Sequence, residues 1–216
     1  MPFTAKSGKF NASINTVEFG TGDKAVKIGG ENVFPLYSFD AAIENAPKVG
    51  IEITDFGMEH EPECIKKYYE GCATLADMAR KAASMEGVDF LSFRMEGGDP
   101  NGANKSTEEL IGELKEIADA VDLPLVVCGC KNVEKDAELF SKAAEALNGK
   151  NAVILSAKEE NYKTVGAAAG LAYKQIVGAE SAVDINLAKQ LNVLISQLGV
   201  DSKSVVMNVG SAAVGY

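Results

Sequence analysis

Along most of the chain, short apolar runs alternate with longer stretches in which apolar residues return every three or four positions. VGIEITDF (49–56) precedes a helical pattern carrying Ile65, Tyr68, Cys72, Leu75, Ala79 and Ala83, closed by Gly87. DFLSFRM (89–95) leads through a loop into STEELIGELKEIADAV (106–121), where Leu110, Leu114, Ile117 and Val121 share a face. Ser106 and Glu109 there have the spacing of a capping box. LPLVVCG (123–129) precedes a helix with Val133, Ala137, Phe140, Ala144 and Leu147, stopped by Gly149. NAVILSA (151–157) precedes an alanine- and glycine-rich helix over about 161–173. QIVGA (175–179) precedes a helix capped by Asp184, and SVVMNVG (204–210) is a sixth strand.

Strands that read as nearly continuous apolar runs, each followed by a helix, predict a parallel sheet covered by helices. An open doubly wound sheet would carry G-x-G-x-x-G after its first strand, and this chain has DFGMEHEP there. A (β/α)8 barrel of about 250 residues has the right spacing per unit. The expectation is therefore a (β/α)8 barrel over residues 48–216, truncated after about six units. Upstream, NTVEFGTGDKAVKIGGENVF (15–34) alternates with period two around a Gly-Asp turn. It predicts an amino-terminal β-hairpin extension within residues 1–47.

Composition narrows the partners. The chain has 216 residues, 46% hydrophobic and 24% charged, with a formal net charge of −10 and no long run of one sign. An acidic, mixed surface argues against nucleic acid and against an anionic membrane. No apolar run reaches the roughly 18 residues of a membrane span, and MPFTAKSGKF lacks the apolar core of a secretory signal. The protein is expected in the cytoplasm, with Cys64, Cys72, Cys128 and Cys130 reduced. A single histidine, His60, argues against a histidine-rich metal site.

Candidate chemistry collects at the carboxyl ends of the strands. Cys128-Gly129-Cys130 ends the third strand of the series, where two thiols one residue apart would face the same side if the strand continued. No C-x2-C accompanies them, so small residues at a strand end are favoured over metal or redox chemistry. MEGGDPNGANKS (95–106) is a glycine-rich loop without the P-loop spacing. Asp55, Glu59, Arg94, Glu96, Asp99, Lys158, Glu159, Ser156 and Asn208 complete the strand-end set, with Arg94 and Glu96 as neighbours that would pair. His60 lies in TDFGMEHEP, which fails the D-x-H-x-x-G pattern of proteins that replace the lower ligand of cobalamin.

The run LPLVVCGCKNVEKDAELFSKAAEALNGKNAVILSAKEENYKTVGAAA, the ending VVMNVGSAAVGY and the amino-terminal VKIGGENVFPLYSFD resemble the small subunit of the corrinoid/iron–sulfur protein. That family serves the reductive acetyl-CoA (Wood–Ljungdahl) pathway of acetogenic bacteria and related anaerobes. The resemblance implies a (β/α)8 barrel paired with a large subunit that carries a [4Fe-4S] cluster and a corrinoid domain. It implies a corrinoid at the interface, taking a methyl group from the methyltetrahydrofolate methyltransferase reaction and delivering it to CO dehydrogenase/acetyl-CoA synthase. The chain would then be an accessory subunit, with no catalytic or metal-ligating residue of its own. The residues expected near the corrinoid are Asp55, Glu96, Asp99, Cys128, Gly129, Cys130, Ser156 and Asn208. The alternative is a stand-alone methyltetrahydrofolate-binding methyltransferase on the same fold.

Overall fold

A computed structural model describes residues 11–32 and 43–210. Residues 1–10, 33–42 and 211–216 lie outside it, and with them parts of the expected 1–47 extension and of the quoted segments VKIGGENVFPLYSFD and VVMNVGSAAVGY.

Six parallel strands form the main sheet in chain order: β3 (Gly50–Thr54), β4 (Phe90–Arg94), β5 (Leu125–Cys128), β6 (Val153–Ala157), β7 (Ile176–Glu180) and β8 (Val205–Asn208). The order never reverses, so the switch point of a doubly wound sheet is absent from the described residues. Before them, β1 (Thr16–Phe19) and β2 (Val26–Gly29) pair antiparallel, with Phe19 opposite Val26.

Alternation along the strands sends one set of side chains toward the helices. Leu91, Phe93, Val127, Ile154 and Val177 pack there against α3 (Thr107–Ala120) and α4 (Val133–Ala146) through Leu110, Leu114, Leu139 and Phe140. The other set faces the opposite, concave side. There Val126, Val153 and Ile176 meet Val17, Phe19 and Val26, and the rings of Phe19 and Phe90 stand edge to face at 5.7 Å. The β1–β2 pair thus covers the lower, amino-terminal end of that face. Asn151 donates to the carbonyls of Glu18 and Gly20 and ties the pair down.

Three local expectations are corrected. The helix expected from Ile65 to Ala83 is two helices, α1 (Glu63–Tyr68) and α2 (Leu75–Ala83). Gly71, at φ 87°, takes a left-handed conformation that breaks the run, and Thr74 with Asp77 forms a complete capping box that restarts it. Cys72 falls in the gap rather than on a helix. Ser106 accepts from the Glu109 N–H at 3.2 Å, but only this half of the expected box forms at α3. The alanine- and glycine-rich helix is α-helical only over α5 (Tyr162–Val165) and continues as a wider π-helix over Gly166–Ala172. The last helix, α6 (Ile185–Gln197), is capped by Asp184 as expected.

Candidate functional site at the carboxyl end of the sheet

The upper end of the concave face is polar where the lower end is apolar. Arg94, the last residue of β4, makes two hydrogen bonds to Glu52 of β3, at 2.9 and 2.8 Å. Glu52 holds the guanidinium above its ordinary pKa. This long-range pair replaces the expected contact between Arg94 and Glu96. One strand further, the Ser92 hydroxyl and the Cys128 thiol lie 3.5 Å apart.

On β6 the alternation is interrupted. Ile154 pairs with Val177 and Ala157 with Ala179, so β6 spends three residues where β7 spends two. Such a bulge re-aims a side chain. Leu155 and Ser156 both reach the concave side, and Ser156 accepts a hydrogen bond from Asn208 Nδ2 at 2.9 Å. Lys158 stands 3.7 Å from Glu180 of β7.

These groups surround a cavity of about 250 Å3, lined among others by Arg94, Cys128, Lys131, Ser156, Lys158 and Asn208. A second cavity of about 180 Å3 adjoins it through Arg94, Gly129 and Lys131, and adds Glu96, Asp99 and Cys130. Of the residues expected at the site, seven line one cavity or the other. Asp55 lines neither. Its carboxylate is buried, accepts from the Gly97 N–H at 2.9 and 3.1 Å, and meets Lys105 Nζ at 3.1 Å. It clamps the glycine-rich loop from beneath. His60 rests edge-on against Phe56, with ring centroids 4.9 Å apart, away from both cavities.

The Cys-Gly-Cys turn has its own logic. Asp136, in the first turns of α4, accepts from the Cys130 N–H at 2.7 Å and from the Lys131 N–H at 3.1 Å. A Cβ on Gly129 would overlap that carboxylate, so glycine is required there. Because β5 ends at Cys128, the two thiols do not share a side as a continuing strand would place them. Cys128 joins the concave cluster and Cys130 the helix-side core. Burial raises both thiols, Cys130 to about 11, so both are protonated at neutral pH. Burial also raises Asp136, against the pull of its backbone donors.

Sequence reasoning did not select Glu52, Lys131, Asp136 or Glu180. Glu52 was readable from the alternation in IEIT, where it falls between two helix-facing isoleucines. Asp136 lies three residues after Val133 and four before Phe140, an acid on an apolar helix face.

Residues 16–216 match the family model described as CO dehydrogenase/acetyl-CoA synthase delta subunit. The acetyl-CoA decarbonylase/synthase complex subunit delta of Methanothermobacter thermautotrophicus is 30% identical over 210 residues, covering 96% of this chain and 53% of that protein. The subunit delta of Methanocaldococcus jannaschii is 31% identical over 216 residues, again 96% of this chain and 53% of the relative. That of Archaeoglobus fulgidus is 30% identical over 202 residues, 91% and 44%. The chain spans about half the length of these relatives.

Proposed function

The chain belongs to the CO dehydrogenase/acetyl-CoA synthase delta subunit family, and from that premise we propose that it serves as the small, corrinoid-covering subunit of a methyl carrier. In this reading the six-stranded sheet is part of a (β/α)8 barrel over residues 48–216. The β1–β2 hairpin, within an extension over residues 1–47, closes the barrel's lower end. The partner is a large subunit holding a [4Fe-4S] cluster and most of the corrinoid's contacts, in a cytoplasmic heterodimer. A methyltetrahydrofolate methyltransferase supplies the methyl group and CO dehydrogenase/acetyl-CoA synthase receives it.

The observation that carries the reading is the polarity gradient of the concave face, apolar and covered by β1 and β2 below, polar and hollow above, in a chain of this family. The fit to a corrinoid can be tested on the residues themselves. A cavity of about 250 Å3 is below the range of ligand pockets that enclose a drug-sized molecule. A macrocycle would lie across the mouth and only a substituent would enter it, which suits a group held mainly by a partner. Cys128, Gly129, Ser156 and Asn208 would face it on one side, and Glu96, Asp99 and Cys130 on the other. Asp55 would act only through the loop it clamps. The bound corrinoid would supply a cobalt centre able to take up and release a methyl group. The chain's own contribution is to orient it and to exclude water from the mouth.

The relatives are named as subunits of a complex, which does not favour a stand-alone methyltransferase. The buried position of Asp55 also removes one of the acids such an enzyme would use to grip a pterin. Affinity purification of the full-length protein from its anaerobic host, with mass spectrometry and a visible spectrum, tests the proposal. A one-to-one partner with corrinoid and iron–sulfur absorption is expected. A lone colourless chain retaining pterin would overturn it.

A further inference from the structure

The larger mouth cavity has more hydrogen-bond donors than its own residues consume. Three cations line it, Arg94, Lys131 and Lys158, against two carboxylates, Asp136 and Glu180. Both oxygens of Asp136 are taken by the backbone N–H groups of Cys130 and Lys131. Glu180 is shared with Lys158 at 3.7 Å, too long for a strong hydrogen bond. Arg94 is bound to Glu52, which does not line this cavity. Ser156 accepts from Asn208, so its own hydroxyl proton is left to donate.

Lys131 is the unmatched member. Among the described residues no carboxylate lies within ion-pair distance of its ammonium group, and it lines both mouth cavities. Its backbone is left-handed, at φ 72°, where a glycine or asparagine would stand at lower energy. The Asp136 carboxylate imposes that conformation by gathering two successive N–H groups.

We propose that this cavity is a binding site for a phosphate-type oxyanion, anchored by Lys131 and completed by Lys158, Arg94 and the Ser156 hydroxyl. A tetrahedral oxyanion is small enough for the cavity, and its oxygens are acceptors only, the complement of a donor-rich lining. Glu180 and Asp136 both draw on Lys158, which leaves Lys131 as the cation that no carboxylate among the described residues holds. In the function proposed above a corrinoid substituent enters this same cavity, so the oxyanion is tested on the corrinoid-free chain, where its failure leaves that reading untouched.

The test is an NMR titration of the full chain with inorganic phosphate, in a phosphate-free buffer of low ionic strength, following the backbone amides of residues 129–133 and 156–158. Saturable shifts confined to those amides are expected. Lys131→Gln should weaken binding about fivefold or more, and Lys131→Arg should retain it. Lys131→Gly is the folding control, because glycine takes the left-handed conformation without penalty while losing the charge. It should stay folded and lose phosphate. Glu180→Gln should bind more tightly than the parent, since it releases Lys158. Acetate, with the same charge sign but fewer acceptor oxygens, should shift the same amides less. Unsaturable shifts spread over all surface lysines would overturn the proposal. So would equal phosphate binding by the parent and Lys131→Gln, weaker binding by Glu180→Gln, or a response to acetate alone.

Discussion

The two ends of the sheet's concave face are built from the same strands and obey different rules. At the lower end Phe90, Val126, Val153 and Ile176 meet the side chains of β1 and β2 in one apolar cluster. At the upper end, a few residues further along each strand, the side chains are Arg94, Cys128, Ser156, Glu180 and Asn208, around a hollow. Left-handed residues occur at both ends, Asn151 and Lys174 below and Lys131 above, whereas the β6 bulge belongs to the upper end. Apolar burial stabilises the lower end. The upper end sets polar groups around a hollow on top of a packed sheet, and this is the pattern of a site supported by a scaffold.

The contrast can be broken at either end. The largest effect is expected from Phe19→Ala, which empties the apolar end and should cost about 4 kcal/mol in a urea titration. Phe19→Leu should cost much less and leave the phosphate response of the mouth unchanged. Loss of the mouth response in Phe19→Leu would mean that the two ends are one cooperative unit.

Gly129→Ala attacks the upper end. The new methyl displaces the Asp136 carboxylate and disturbs its two backbone hydrogen bonds, for about 3 kcal/mol of destabilisation. Chemical shifts should change at Cys130 and Lys131 and not at Phe19. A well-tolerated alanine would show that Asp136 does not fix the turn.

The smallest effect concerns pH. Burial lifts the Cys130 thiol to about 11, while an unfolded cysteine titrates near 8.5. The native state holds the proton more tightly, so this group's contribution is complete below about pH 8.5 and falls as pH rises toward 11. By pH 10 the loss should be on the order of 1 kcal/mol. Urea midpoints measured at pH 7 and pH 10 should fall further for the parent than for Cys130→Ala. Parallel curves would place the thiol in a wetter environment.

Much of the fold was legible because parallel strands covered by helices announce themselves as apolar runs between helical patterns. LPLVV and NAVIL read as strands by themselves, and the Asp184 cap lies where the sequence puts it. The break between α1 and α2 was hidden because the helical period of Ile65, Tyr68, Cys72 and Leu75 runs through it unchanged. Only the competing capping signal of Thr74 and Asp77 marks it. At the upper end, the strand-end rule chose Cys128, Gly129, Asn208 and the loop acids, which line the two cavities. It did not foresee the burial of Asp55, which depends on Gly97 and Lys105, 42 and 50 residues away. It also misread Arg94, because proximity in sequence favoured Glu96 while the sheet register delivers Glu52. Ser156 was selected as a strand-end residue, but its reach into the mouth depends on a bulge that period-two reasoning does not contain.

The tether from Asn151 to β1 has a consequence for the order of assembly. Each strand of the main sheet pairs with the one made just before it, so the sheet can grow step by step as the chain leaves the ribosome. The β1–β2 pair cannot follow that schedule. Its bonds to Asn151 span 131 and 133 residues, and its apolar floor is incomplete until Val153 and Ile176 have been made. Strands made before the whole main sheet are therefore buried only after most of it exists, and a nascent chain halted before β6 leaves the floor against which Val17, Phe19 and Val26 pack unfinished.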